Sequence, residues 1–145
     1  MQPIPTFSDF EKSDDTLWIL SGDTVIFQSI KKGVAPLIDY LAGSTARSSA
    51  IIVYDRIVGN AAALLAIKAH AVHVTAVTGS RYAADTLGRY GVPYDFHCIV
   101  TSIINRTQDG MCPYERLSLN MEPDEFYEAA YAKITADRSV NVHRK

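Results

Sequence analysis

Residues 50–69 read AIIVYDRIVGNAAALLAIKA, and the fold turns on how this stretch divides. Its first five residues, Ala50 to Tyr54, form an unbroken apolar run, the pattern of a strand buried on both faces, and such strands belong to parallel sheets. The run is expected to end at Asp55-Arg56. From Val58 to Ala69 the chain turns to alanine and leucine, strong helix formers, with apolar residues nearly all the way round. A helix of that kind is buried and packed closely against its neighbours.

Upstream, Thr16 to Leu20 (TLWIL) and Thr24 to Gln28 (TVIFQ) are β-branched and aromatic runs joined by Ser21-Gly22-Asp23, which predicts a β-hairpin. Before it, Phe7, Phe10 and the acidic stretch to Asp15 read as a short helix capped by Thr6 or Ser8. Val34, Leu37, Ile38 and Leu41 recur at three- and four-residue intervals, with Pro36 in a first turn and Gly43 as a stop, so they read as a helix. Downstream, Val72 to Val77 is a further strand. Thr78-Gly79-Ser80 turns it into a helix over about Arg81 to Tyr90, closed by Gly91. Phe96 to Val100 is the last strand, Thr101 to Met111 a loop and Pro113 to Leu117 a short helical turn. A final helix starts around Pro123, with Asp124 and Glu125 in the turn where the helix dipole favours them.

Residues 137–145 read as a flexible tail, and 1–145 as a single domain with its core over about 7–130. The order predicts an α/β fold: a three-layer α-β-α arrangement whose mixed five-stranded sheet has one antiparallel hairpin strand and helices on both sides. Right-handed crossovers bring the C-terminal ends of the parallel strands to one edge. Open α/β sheets bind ligands there, near the point where successive crossovers change faces.

With 145 residues, 48% of them hydrophobic and 21% charged, the chain can bury a sizeable core and is not disordered. Fourteen Lys and Arg against 16 Asp and Glu leave a net charge of −2, with a pI near 6.0, so no basic field exists to neutralise phosphates and no nucleic acid partner is expected. Cys98 and Cys112 form no CxxC pair, which excludes a disulfide framework and a zinc knuckle and fits a reducing cytoplasm. No apolar run reaches the roughly 18 residues of a membrane span. Met1 to Phe10 has no cationic start before an apolar stretch, so the expected location is cytoplasmic.

The stretches TLWILSGDTVIFQS, DRIVGNAAALLAIKA and MCPYERLS resemble an uncharacterised bacterial family, carrying a domain-of-unknown-function label, assigned to the cytidine deaminase-like superfamily. The resemblance covers about residues 7 to 130. It implies a cytidine deaminase-like fold and also supplies a test, because zinc deaminases hold their metal with a His or Cys two positions before a Glu and with a Pro-Cys-x-x-Cys. Neither motif is present. The residues two after each His are Val72, Thr75, Ile99 and Lys145, and those after each Cys are Val100 and Tyr114. At the two helix starts where the fold would place the metal stand Lys31-Lys32-Gly33-Val34 and Asp55 to Asn60. Zinc-dependent deamination is therefore disfavoured, and no metal or other cofactor is expected.

Asp55, Arg56, Gly59 and Asn60 sit between the most buried strand and the most buried helix. Either Asp55 caps that helix or pairs with Arg56 while Asn60 satisfies loop backbone, or these residues make a polar pocket for an anionic or nucleotide-like group. Gly59 would then permit close approach, and Lys31 and Lys32 would border the cleft. Thr78-Gly79-Ser80-Arg81 offers further free amides, although turn and cap explain it. Asn105-Arg106, Asp109-Gly110 and Cys112 to Arg116 are the least generic residues. A Cys112 placed at a helix start is either a half-buried structural thiol or a nucleophile, and a nucleophile needs Glu115, His97 or Asp55 as its base. His97 and Cys98 point to opposite faces of a strand and cannot share an ion. Packing explains His70 and His73. Phe126, Tyr127 and Tyr131 recur at helical spacing, which reads as core or as a homodimer face.

The leading reading is a zinc-free deaminase-like domain that binds a small anionic or nucleotide-like metabolite through Asp55, Arg56, Gly59, Asn60, Asn105 and Arg106. One alternative is an enzyme of thiol, sulfur or acyl transfer using Cys112 with Glu115. Another is a structural or partner-binding subunit.

Overall fold

The computed structural model describes residues 4–43, 50–104 and 110–143. Along the chain these form α1 (Phe7–Lys12), β1 (Leu17–Ser21), β2 (Thr24–Ser29), α2 (Ala35–Ala42), β3 (Ile51–Val58), α3 (Asn60–Lys68), β4 (Ala71–Ser80), α4 (Arg81–Arg89), β5 (Tyr94–Val100), α5 (Pro113–Ser118) and α6 (Pro123–His143). The strands make one five-stranded sheet in the order β2-β1-β3-β4-β5. β1 runs antiparallel to both its neighbours, whereas β3, β4 and β5 are mutually parallel. The hairpin therefore contributes the single reversed strand, as its Gly-containing turn predicts. Gly22 takes a φ of 60°, which a residue with a Cβ rarely adopts.

The local signals near helix ends hold. Thr6 caps α1 in a reciprocal box with Asp9, and Ser80 Oγ accepts from Ala83 N to start α4. α3 is buried from Asn60 through Ala66, with α2, α4, α5 and α6 all packed around it. Its alanines allow that close approach, and the contact accounts for an apolar surface with no polar side.

Three expectations are corrected. β3 runs past Tyr54 to Val58, so Asp55 and Arg56 lie within the strand and α3 begins only at Asn60. The helical layers are unequal: α2, α3, α4 and α6 share one core on one face, and among the described residues only α1 covers part of the other. α3 and α4 pack on each other, so the crossovers β3–α3–β4 and β4–α4–β5 lie on the same face and do not switch. α6 extends to His143. Of its aromatic residues, Phe126 is fully buried whereas Tyr131 is 45% exposed.

Phe7 and Phe10 pack α1 against Trp18 and Tyr54 of the sheet, and Arg56 bonds it there. Arg56 Nε donates to the Asp15 carbonyl at 3.0 Å, Nη1 to that of Glu11 at 3.2 Å, and Nη2 to those of Phe10 and Ser13 at 2.8 Å each. Its guanidinium also lies 4.3 Å from the centre of the Phe10 ring. These carbonyls belong to the last turn of α1 and the segment that leaves it, and the planar fork of arginine serves several at once. Arg56→Ala is expected to lower unfolding stability by about 3 kcal/mol in urea titration, and Arg56→Lys to recover less than half of it. An unchanged midpoint for Arg56→Ala would contradict this assignment.

Candidate functional site

Strand alternation places Asp55 on the helix-bearing face and Arg56 on the face of α1. Asp55 lines a cavity of about 730 Å³ at the C-terminal edge of β3. The walls come from the segment entering α2, the start of α3, Ile103 and Ile104, and the 112–115 stretch, with Lys133 and Ile134 of α6 completing them. Lys32 and Lys133 are exposed, so they stand at the rim, whereas Asp55 and Glu115 are buried and stand on the floor and wall.

Glu115, only 1% exposed, ties three segments together. One carboxyl oxygen accepts from the Asn60 main-chain N–H at the start of α3, and the other accepts from Ile103 N at 3.0 Å. Asn60 Nδ2 donates to Ser118 Oγ at 2.9 Å and to the Ser118 carbonyl at 3.2 Å. Thr86 Oγ1 donates to Asn60 Oδ1, and Ser118 Oγ donates to the Glu115 carbonyl at 2.6 Å. This buried network is fully satisfied, which is the condition under which buried polar groups rigidify a structure. Gly59 makes it possible: a Cβ there would stand 2.7 Å from Glu115 Oε2 and 2.8 Å from Ile103 Cγ1.

Asp55 Oδ1 accepts from Arg56 N at 2.7 Å. Burial pushes its carboxyl up to about 8, against the opposing pull of the Arg56 and Ile57 main-chain N–H groups and of the Arg56 charge. No ion pair joins Asp55 to a cation among the described residues.

The family model described as TM1506, a domain of unknown function (DUF1893), matches residues 7–134. The chain belongs to the DUF1893 family. It is similar to the crystal structure of a DUF1893 family protein (TM1506) from Thermotoga maritima, with 28% sequence identity and a TM-score of 0.76 over 87% of this chain and 85% of that one. The comparison with curated proteins found no match.

Of the expected site residues, the DUF1893 cavity brings together Asp55, Gly59, Cys112 and Glu115. Arg56 contributes to its wall, but its guanidinium is committed to α1 on the opposite face and does not reach a ligand anion there. Asn60 is not among the residues that line the cavity, and its side-chain amide is taken up by Ser118 and Thr86. Asp55 does not cap α3, whose N-cap is Gly59. Asn105 and Arg106 lie outside the described residues. Lys32 lines the cavity, whereas Lys31 pairs with Asp39 at 2.7 Å.

Cys112 is the N-cap of α5 and makes no side-chain cap bond. Glu115 is not turned back toward it, because both carboxyl oxygens accept main-chain hydrogens elsewhere. His97 stands edge-on to Phe7 at 5.1 Å, on the α1 face, and so cannot serve as its base. Sequence reasoning misses the wall supplied by Lys133 and Ile134; Ile134 continues the buried Phe126–Ala130 stripe at four-residue spacing, a signal masked by the neighbouring tyrosines. Among the described residues no group of three or more His, Cys, Asp or Glu could hold a metal ion, and no helix is long and apolar enough to cross a membrane.

Native Asp55 keeps its proton to about pH 8 while the unfolded group releases it near 3.8, so the native state binds more protons across that window and stability falls as pH rises through it. Asp55→Asn should flatten this decline and exceed the parent at pH 8 by on the order of 2 kcal/mol, as read by urea unfolding across pH. Gly59→Ala should cost about 2 kcal/mol by driving Glu115 or Ile103 aside. Parent-like stability of that variant would show that the Glu115 contact is looser than described.

Proposed function

We propose that this DUF1893 chain is a binding domain on a cytidine deaminase-like scaffold without zinc, and that it holds a small anionic or nucleotide-like metabolite at the C-terminal edge of β3. The single reversed strand and the element order support the scaffold. A zinc site does not fit: at the starts of α2 and α3, Lys32, Gly33, Val34, Gly59 and Asn60 offer no thiolate, imidazole or carboxylate.

The observation that carries the binding reading is the cavity itself. Its volume of about 730 Å³ suits a metabolite, its lining is mostly apolar, and a few polar groups converge on it, two lysines at the rim and buried carboxyls within. Lysine at an exposed rim attracts an anion while leaving the apolar interior to the body of the ligand. The scaffold around the cavity is braced by Glu115 and Asn60, so little ordering would be needed on binding.

The test is a thermal-shift screen of mononucleotides, sugar phosphates and small aromatic and aliphatic carboxylates. A saturating ligand should raise the melting temperature by a few degrees, and Lys32→Ala combined with Lys133→Ala should remove most of that rise. Absence of any shift across the panel, or a shift untouched by the double variant, would count against the proposal.

A further inference from the structure

The floor of the cavity differs chemically from its mouth, and a selectivity read from that difference rests on the binding function proposed for the same site. Among the described residues, the titratable or charged groups that line the cavity with Asp55 are Lys32 before α2, Arg56 on β3 itself, Cys112, Tyr114 and Glu115 on the 112–115 stretch, and Lys133 on α6. Arg56 directs its guanidinium to the α1 carbonyls across the sheet. Glu115 holds the Asn60 and Ile103 amides. Lys32 and Lys133 are exposed at the rim, and the Lys133 ammonium stands 6.0 Å from the Tyr114 ring. α3 presents only alanine to this space, at Ala61 and Ala62. The cavity is thus cationic at its mouth and has, at its buried end, a carboxyl group with no counter-cation among the described residues.

We propose that the cavity selects ligands anionic at one end and bearing an uncharged hydrogen-bond acceptor at the other. The anion meets Lys32 and Lys133, and the acceptor, a carbonyl or ring nitrogen, takes a hydrogen bond from the Asp55 carboxyl. A ligand ionised at both ends is excluded, because its second charge would be desolvated beside a group that cannot neutralise it. Burial pushes Asp55 up to about 8, which keeps the donor hydrogen in place at neutral pH. Above that value the ionised group is an acceptor only and repels the same ligand.

Two probes that differ only at the far end separate these cases. 4-Carbamoylbenzoate carries a carboxylate and an amide, and terephthalate carries two carboxylates. Calorimetric titration of the full chain at pH 7 should show the carbamoyl compound binding at least tenfold more tightly. Its affinity should then fall about tenfold between pH 7 and pH 9, the loss expected for one required proton with a midpoint near 8. In Asp55→Asn, which stays neutral and keeps an N–H donor, that loss should disappear. Equal binding of the two probes, a parent affinity independent of pH, or a fall that persists in Asp55→Asn would each overturn the proposal while leaving anion binding intact. Absence of binding by both probes at every pH would overturn it together with the binding reading. The parent pH profile decides the matter even if the variant folds poorly.

Discussion

Successive residues of a β-strand point to opposite faces, and at Asp55-Arg56 this separates an acid and a base that are adjacent in sequence. The cation goes to the α1 face, where it gathers the carbonyls of Phe10, Glu11, Ser13 and Asp15. The acid goes to the helix-bearing face and is left buried with no ion pair among the described residues. One strand step thereby seals the thin side of the sheet and creates the unusual group at the cavity floor. Had β3 stopped at Tyr54, both side chains could have turned into a loop and neutralised each other.

The second constraint is the close contact among α3, α5 and the chain leaving β5. Glu115 reaches the first amide of α3 across 55 positions of sequence, and a glycine at 59 is what lets it approach. The same carboxyl holds Ile103, so the wall of the cavity is fastened to the most buried helix in the fold. Polar groups in a low-dielectric interior are destabilising unless satisfied, and here Asn60, Thr86, Glu115 and Ser118 satisfy one another. The rigidity belongs to the frame. Asp55 stands outside that network and lines the cavity.

Much of the fold is legible because its signals are local. The hairpin follows from two β-branched runs around Gly22, the caps from Thr6 and Ser80, and the burial of α3 from an alanine-rich stretch with no polar side. What is not legible depends on distance. Asp-Arg after an apolar run resembles a strand end, and only pairing with β1 and β4 shows that the strand continues. The partners of Arg56 are main-chain carbonyls 41 to 46 positions earlier, which leave no mark on side-chain spacing. The positions of Asp55, Gly59, Cys112 and Glu115 near one cavity could be anticipated, since strand ends and helix starts collect at one sheet edge. Which of them are tied into the frame of the cavity is decided by hydrogen bonds that no spacing encodes.

The claim on which this account stands is that Asp55 faces the cavity as a neutral acid. Carbon-13 NMR of the aspartate side-chain carboxyls, titrated from pH 3 to 10 with Asp55 assigned by substitution, observes that group directly. The account predicts a carboxyl resonance that stays in the protonated position through neutral pH and moves with a midpoint near 8. A midpoint close to 4, the ordinary range for an aspartate in water, would contradict it.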